Sequence, residues 1–163
     1  MKRHSYALPL LLLFLVTACS PPSPFHHEFA SGYVAPHIEQ CAIYARKVSG
    51  IDLYGDAYSW WGQAKGHYRR GHKPTPGSVL VLKRTDRMHS GHVAVVKDVL
   101  GSRMINVTHS NWGDSSRTRH IVYDSMRVED VSPHNDWTQV RFWNDAKNVM
   151  GFPYDAYGFI YPN

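Results

Sequence analysis

The second half of this chain constrains its fold most. From residue 78 onward, short runs rich in β-branched and aromatic residues occupy positions 78–82, 92–99, 103–108, 119–123, 138–143 and 157–161. Gly, Asp, Asn and Ser separate them, so each run reads as a strand. No segment between them has helical length and period. The sheet is therefore expected to be antiparallel and strongly curved. Helical patterning is confined to the first half. Residues 37–49 place Ile38, Cys41, Ala42, Ala45 and Val48 on one face, with Pro36 before the start and Gly50 after the end. A second helix is expected from Asp56, as N-cap, to Ala64. Helices first and strands after make an α+β domain. With 163 residues, 43% of them hydrophobic and 19% charged, the chain can bury one core and is not of disordered composition.

The N-terminus carries an export pattern. Lys2, Arg3 and His4 precede an apolar run, residues 7–16, that is too short to span a bilayer. Val16-Thr17-Ala18-Cys19 then resembles a bacterial lipobox, in which the cysteine is lipidated and becomes the new N-terminus. The resemblance implies a lipid anchor at Cys19 and, with Ser20 following, sorting to the outer membrane, facing the periplasm. The alternative is an ordinary cleaved signal with Cys19 incidental. Residues 1–18 are read as the signal peptide, 19–32 as a Pro/Ser-rich tether and 33–163 as the domain. The net charge is +5, and removing Lys2 and Arg3 lowers it by two. So mild a basic balance suits a polyanionic envelope surface and does not argue for nucleic acid. The basic stretch 65–73 reads as a solvated loop.

There are two cysteines. If Cys19 carries lipid, Cys41 has no disulfide partner within the chain, which in an oxidising compartment calls for an explanation. It is either an inert buried thiol or a nucleophile. The start of a helix and a nearby imidazole would both favour reactivity. His92 is the best-placed imidazole, because it opens a strand directly after Gly91. The hairpin that follows turns near Leu100-Gly101-Ser102. A loop at Leu100-Gly101 sets His92 opposite His109, and a loop at Gly101-Ser102 sets it opposite Asn111. In either register His92, His109 and Asn111 share one face, whereas a single bulge would break that parity.

Gln40-Cys41-x-x-Tyr44-Ala45-Arg46, Trp60-Trp61, Pro76-Gly77-Ser78-Val79-Leu80, Ser90-Gly91-His92-Val93-Ala94-Val95-Val96 and His109-Ser110-Asn111-Trp112 together resemble a CHAP domain, the cysteine- and histidine-dependent amidohydrolase/peptidase family. The likeness covers residues 32–143. It implies a papain-like fold, with N-terminal helices carrying the cysteine packed on the curved sheet that carries the histidine. It implies Cys41 as nucleophile and His92 as general base. Many members have Glu-x-Asn-Trp where this chain has His109-Ser110-Asn111-Trp112, so the group that orients His92 is His109 or Asn111. His109 is preferred, and Asn106 should point to the opposite side of its strand. The oxyanion would be received by the Cys41 N–H and by Gln40.

The substrate class implied is the amide bonds of peptidoglycan. The rival from another class is a wall-binding lipoprotein of the same fold without catalysis. A zinc enzyme is disfavoured, since His89-x-x-His92 lacks the helical His-Glu-x-x-His arrangement and no further ligand follows at suitable spacing. No cofactor or metal is expected. Of the aromatic residues, Trp112 is the one expected beside the cleft.

Overall fold

A computed structural model describes residues 24–163, with side chains from residue 27. The signal peptide, Cys19 and the first part of the tether lie outside the described residues. Nine strands form one antiparallel sheet: β1 (Pro24–His26), β2 (Ala30–Val34), β3 (Arg69–Gly71), β4 (Val79–Leu82), β5 (His92–Gly101), β6 (Met104–Ser110), β7 (Ile121–Asp130), β8 (Gln139–Asn144) and β9 (Val149–Tyr161). The path β7-β6-β5-β4-β9 is closed by β8, which pairs with both β7 and β9. The expected curvature is thus carried to closure as a six-stranded barrel, extended by β2 and β1 beyond β7 and by β3 beyond β9.

Alternation along the strands sorts the core into two layers. Leu80, Leu82, Ala94, Val96, Ile105, Val107, Met126, Val128, Val140 and Phe142 fill one, with Trp137 and Phe159. Val79, Val81, Val93, Val95 and Ile160 face the other way, against Ala45, Ile51, Leu53, Ala57, Trp60 and Ala64 from the helical segment. The α+β reading holds at this level.

Helix α1 (Cys41–Ser49) starts later than the pattern over 37–49 suggests. No Ser, Thr, Asp or Asn stands at its entry, and Gln40 occupies the N-cap without a side-chain cap bond, so composition does not mark the start. The C-terminus is as expected: Gly50 takes a left-handed conformation and donates to the Arg46 carbonyl. Ala45 is buried and Cys41 and Ala42 are half-buried against the core, but Val48 stays exposed. The expected helix 56–64 is shorter, a 3₁₀ turn at Ala57–Ser59 leading into α2 (Trp60–Gln63). Gly62 and Gly66 limit its propagation, although Ala57, Trp60 and Ala64 keep the buried spacing of a helix.

Two stretches read as irregular are strands. In the expected tether, residues 24–26 and 30–32 belong to the sheet, because β1 pairs with β2 and β2 pairs with β7 from Ala30↔Met126 to Val34↔Ile121. Gly32 stands in close contact with β7. It sits at a register shift where an added Cβ would lie 2.2 Å from the Val122 carbonyl oxygen. In the basic loop, Arg69–Gly71 pairs with the end of β9, and the Arg70 guanidinium lies 4.8 Å over the Trp61 ring. A short helix, α3 (Ser116–Arg119), precedes β7.

Candidate active site

The β5–β6 hairpin brings two histidines together at one mouth of the barrel. Its loop is Ser102-Arg103, since Gly101 pairs with Met104, so neither expected turn position is used. Two register shifts follow, between Val96 and Asp98 and between Val99 and Gly101. Each would reverse facing parity, and together they restore it. His92 and His109 therefore do share a face. Their rings meet edge-on at 5.2 Å, with His92 Nε2 2.9 Å from His109 Nδ1.

The second nitrogen of His109, Nε2, lies 3.3 Å from Met126 Sδ. Tyr123 stacks on the His109 ring at 5.2 Å, Phe142 lies at 5.5 Å, and Trp112 sits 4.7 Å from the His92 ring. Trp112 thus occupies the place expected of it. His92 is 2% exposed and His109 1%. Burial lowers the His92 pKa to about 3. Burial first, and then the neighbouring His92, holds His109 well below 6.5. Both rings are neutral at pH 7.

Cys41 is the first residue of α1, on the other layer of the sheet. The helix is tied to β6 at three places: Tyr44 Oη to Thr108 Oγ1 at 2.6 Å, Ser110 Oγ donating to the Glu39 carbonyl at 2.8 Å, and Asn111 Nδ2 donating to Gln40 Oε1 at 2.9 Å. The backbone amides of Val93, Ala42 and Cys41 pull the thiol pKa down. Two of these are first-turn N–H groups that an uncapped helix leaves free. The third follows from the ladder. Val96 bonds back to Gly77 and Ser78, so Val93 and Val95 turn their N–H groups toward β6. Pairing with β6 begins only at Val95↔Thr108, which leaves the Val93 N–H outside that ladder. Burial outweighs these donors and pushes the Cys41 thiol above 9.0. At rest the Cys41 thiol and both imidazoles are neutral.

Of the expected site residues, His92 and His109 are joined directly. Cys41 packs against the core layer that includes Val93, the residue next to His92. Asn111 takes a different place: with φ +52 it turns out of the end of β6, and its side-chain bond is to Gln40, not to the His92 ring. That bond occupies Gln40 Oε1 and leaves its NH₂ as a donor. Sequence reasoning missed Met126, Phe142 and the Val93 amide. Each reaches the site through strand register or barrel closure, for which a single sequence carries no local signal.

The CHAP domain family matches residues 30–111, which include Cys41, His92, His109 and Asn111. No curated protein matches. Among solved structures, the crystal structure of N-acetylmuramoyl-L-alanine amidase from Staphylococcus aureus is similar with a TM-score of 0.43 and 20% identity. That match covers 69% of this chain and 30% of the amidase chain, so the likeness spans about a third of the amidase's length. A match over half the sequence, carrying both the cysteine and the histidine blocks, places the chain in the CHAP-domain family.

Proposed function

We propose that the protein is a peptidoglycan amide hydrolase working through a Cys41–His92–His109 thiol site. The observation that carries this reading is the buried His92–His109 hydrogen bond at the barrel mouth, with Cys41 heading α1, which packs on the core layer that includes Val93, the residue next to His92. Family membership supplies the reaction class. The envelope signal points to peptidoglycan as the abundant amide substrate.

With thiol and imidazole both neutral at rest, His92 accepts the Cys41 proton through Nδ1, the ring nitrogen not engaged by His109, as sulfur bonds to the amide carbon. The Nε2–H to His109 supports the imidazolium that forms. The carbonyl oxygen, now negative, is received by the Cys41 N–H and by the Gln40 amide that Asn111 holds in place. His92 then protonates the leaving amine, the C–N bond breaks, and water hydrolyses the thioester to release the acid and restore the thiol.

A wall-binding protein without catalysis is the second reading, and the neutral resting thiol is the observation on its side. Digestion of purified sacculi, followed by mass spectrometry of the released muropeptides, separates the two. The hydrolase reading expects fragments from wild type and none from Cys41→Ala. Equal release by both proteins would sink the mechanism, and no release by either would favour the binding reading. Anchoring through Cys19 at the outer membrane belongs to the same proposal. A Cys19→Ser protein that stays with the membrane fraction would refute it.

A further inference from the structure

We propose that Met126 is a positioning residue that fixes the tautomers of the histidine pair and so leaves the lone pair of His92 on Nδ1; the inference rests on the thiol reading above. The argument is one of proton counting. A thioether sulfur accepts a hydrogen bond weakly and has no proton to give. His109 Nε2 stands 3.3 Å from Met126 Sδ in hydrogen-bond geometry, so the proton between them is on Nε2. A neutral imidazole has one N–H, which makes His109 Nδ1 an acceptor. That atom is 2.9 Å from His92 Nε2, so His92 donates there. Its single N–H is then spent, and Nδ1 carries the lone pair that takes the thiol proton.

The opposite assignment sets a nitrogen lone pair against sulfur lone pairs at Nε2. It also leaves a proton on His92 Nδ1, where the base must be free. Burial keeps both rings neutral, so the counting applies at pH 7. The rings of Tyr123, Phe142 and Trp112 pack around His109 and oppose a flip that would exchange its nitrogens. Met126 is 1% exposed on β7, so water does not take over as the acceptor.

The test is a long-range proton–nitrogen correlation spectrum of the histidine rings in the ¹⁵N-labelled protein at pH 7. The expected wild-type result is the Nε2–H form for both His92 and His109. Met126→Leu keeps the volume and removes the acceptor. Its His109 nitrogens should move toward each other as the two tautomers mix. Its kcat on sacculi should fall about tenfold or more, within what a general base contributes, with KM changed less than about twofold. A wild-type His109 in the Nδ1–H form overturns the proposal, as does a Leu variant that keeps both wild-type tautomers. If the Leu variant does not fold, the wild-type spectrum alone decides. A protein that cleaves no wall yet shows both Nε2–H forms refutes the hydrolase reading and leaves the tautomer assignment standing.

Discussion

Acid should destabilise this protein through its two buried histidines. In the unfolded chain each ring takes up a proton as pH falls below about 6.5. In the fold His92 waits until about pH 3, and His109 is also held well below its ordinary value. The unfolded state therefore binds more protons across this window. The stability contributed is complete above pH 6.5 and is lost progressively as pH falls toward the folded values. Each ring gives a slope of about 1.4 kcal/mol per pH unit. Between pH 7 and pH 5 that is about 2 kcal/mol per ring and about 4 kcal/mol for the pair, a large share of a typical domain stability of about 5–15 kcal/mol. At 2% and 1% exposure the rings have little solvent screening to reduce the figure.

Urea unfolding at pH 7, 6 and 5 measures the effect, with the double variant His92→Gln/His109→Gln as reference. All other titrating groups are common to both proteins, so the difference in slope isolates the pair. The expected difference is about 4 kcal/mol between pH 7 and pH 5, or about 2 kcal/mol per pH unit on average. A difference below about 1 kcal/mol per unit would show that the rings take up protons inside the fold, and the neutral resting site would have to be abandoned.

Other perturbations read other parts of the site. Burial holds the Cys41 thiol above 9.0, so its alkylation rate by iodoacetamide should still be rising past pH 9; a plateau below pH 7 would reveal a resting thiolate–imidazolium pair instead. Gly91 has φ +67, and a Cβ there would lie 2.8 Å from the Tyr58 amide nitrogen and 2.9 Å from the Leu82 carbonyl oxygen. Gly91→Ala should therefore cost about 2 kcal/mol or more and lower both the melting temperature and activity, since His92 is the next residue. Tyr44→Phe removes the 2.6 Å bond that ties α1 to Thr108, while Thr108 keeps its bond to the Tyr123 carbonyl. The expected loss is about 1 kcal/mol in urea unfolding, and no loss at all would show the bond to be incidental.

The parts of this architecture that depend on local pattern were legible in the residues. Runs of β-branched and aromatic residues located β4, β5, β6 and β8 and one end each of β7 and β9, Gly50 marked the end of α1, and the shared face of His92 and His109 followed from hairpin alternation. That last result was reached through a wrong turn position, and it stands because two bulges cancel. Bulges leave no mark in a run such as Val95-Val96-Lys97-Asp98-Val99, where any residue could be the extra one. The strands at Ala30–Val34 and Arg69–Gly71 were illegible for a different reason. Short edge segments rich in Gly, Ser and Arg have no apolar alternation of their own and take their conformation from β7 and β9. Asn111 was misplaced because its left-handed turn out of β6 cannot be read from strand parity.

The break in the β5–β6 ladder explains why the histidine stands at a strand mouth and not within the strand. His92 and His109 belong to the layer with Phe142 and Met126, whereas Cys41 packs with the helical layer. A fully paired sheet would keep the two layers apart and consume the Val93 N–H in a rung. Because pairing stops at Val95↔Thr108, the strands part where β5 begins, and the Val93 N–H is left to favour the Cys41 thiolate. The three ties from Thr108, Ser110 and Asn111 fix the head of α1 to the end of the strand that also carries His109. Extending the ladder by one rung would satisfy the sheet and take that amide away from the proposed nucleophile. On this argument the missing rung is part of the site, in the same sense as the side chains that line it.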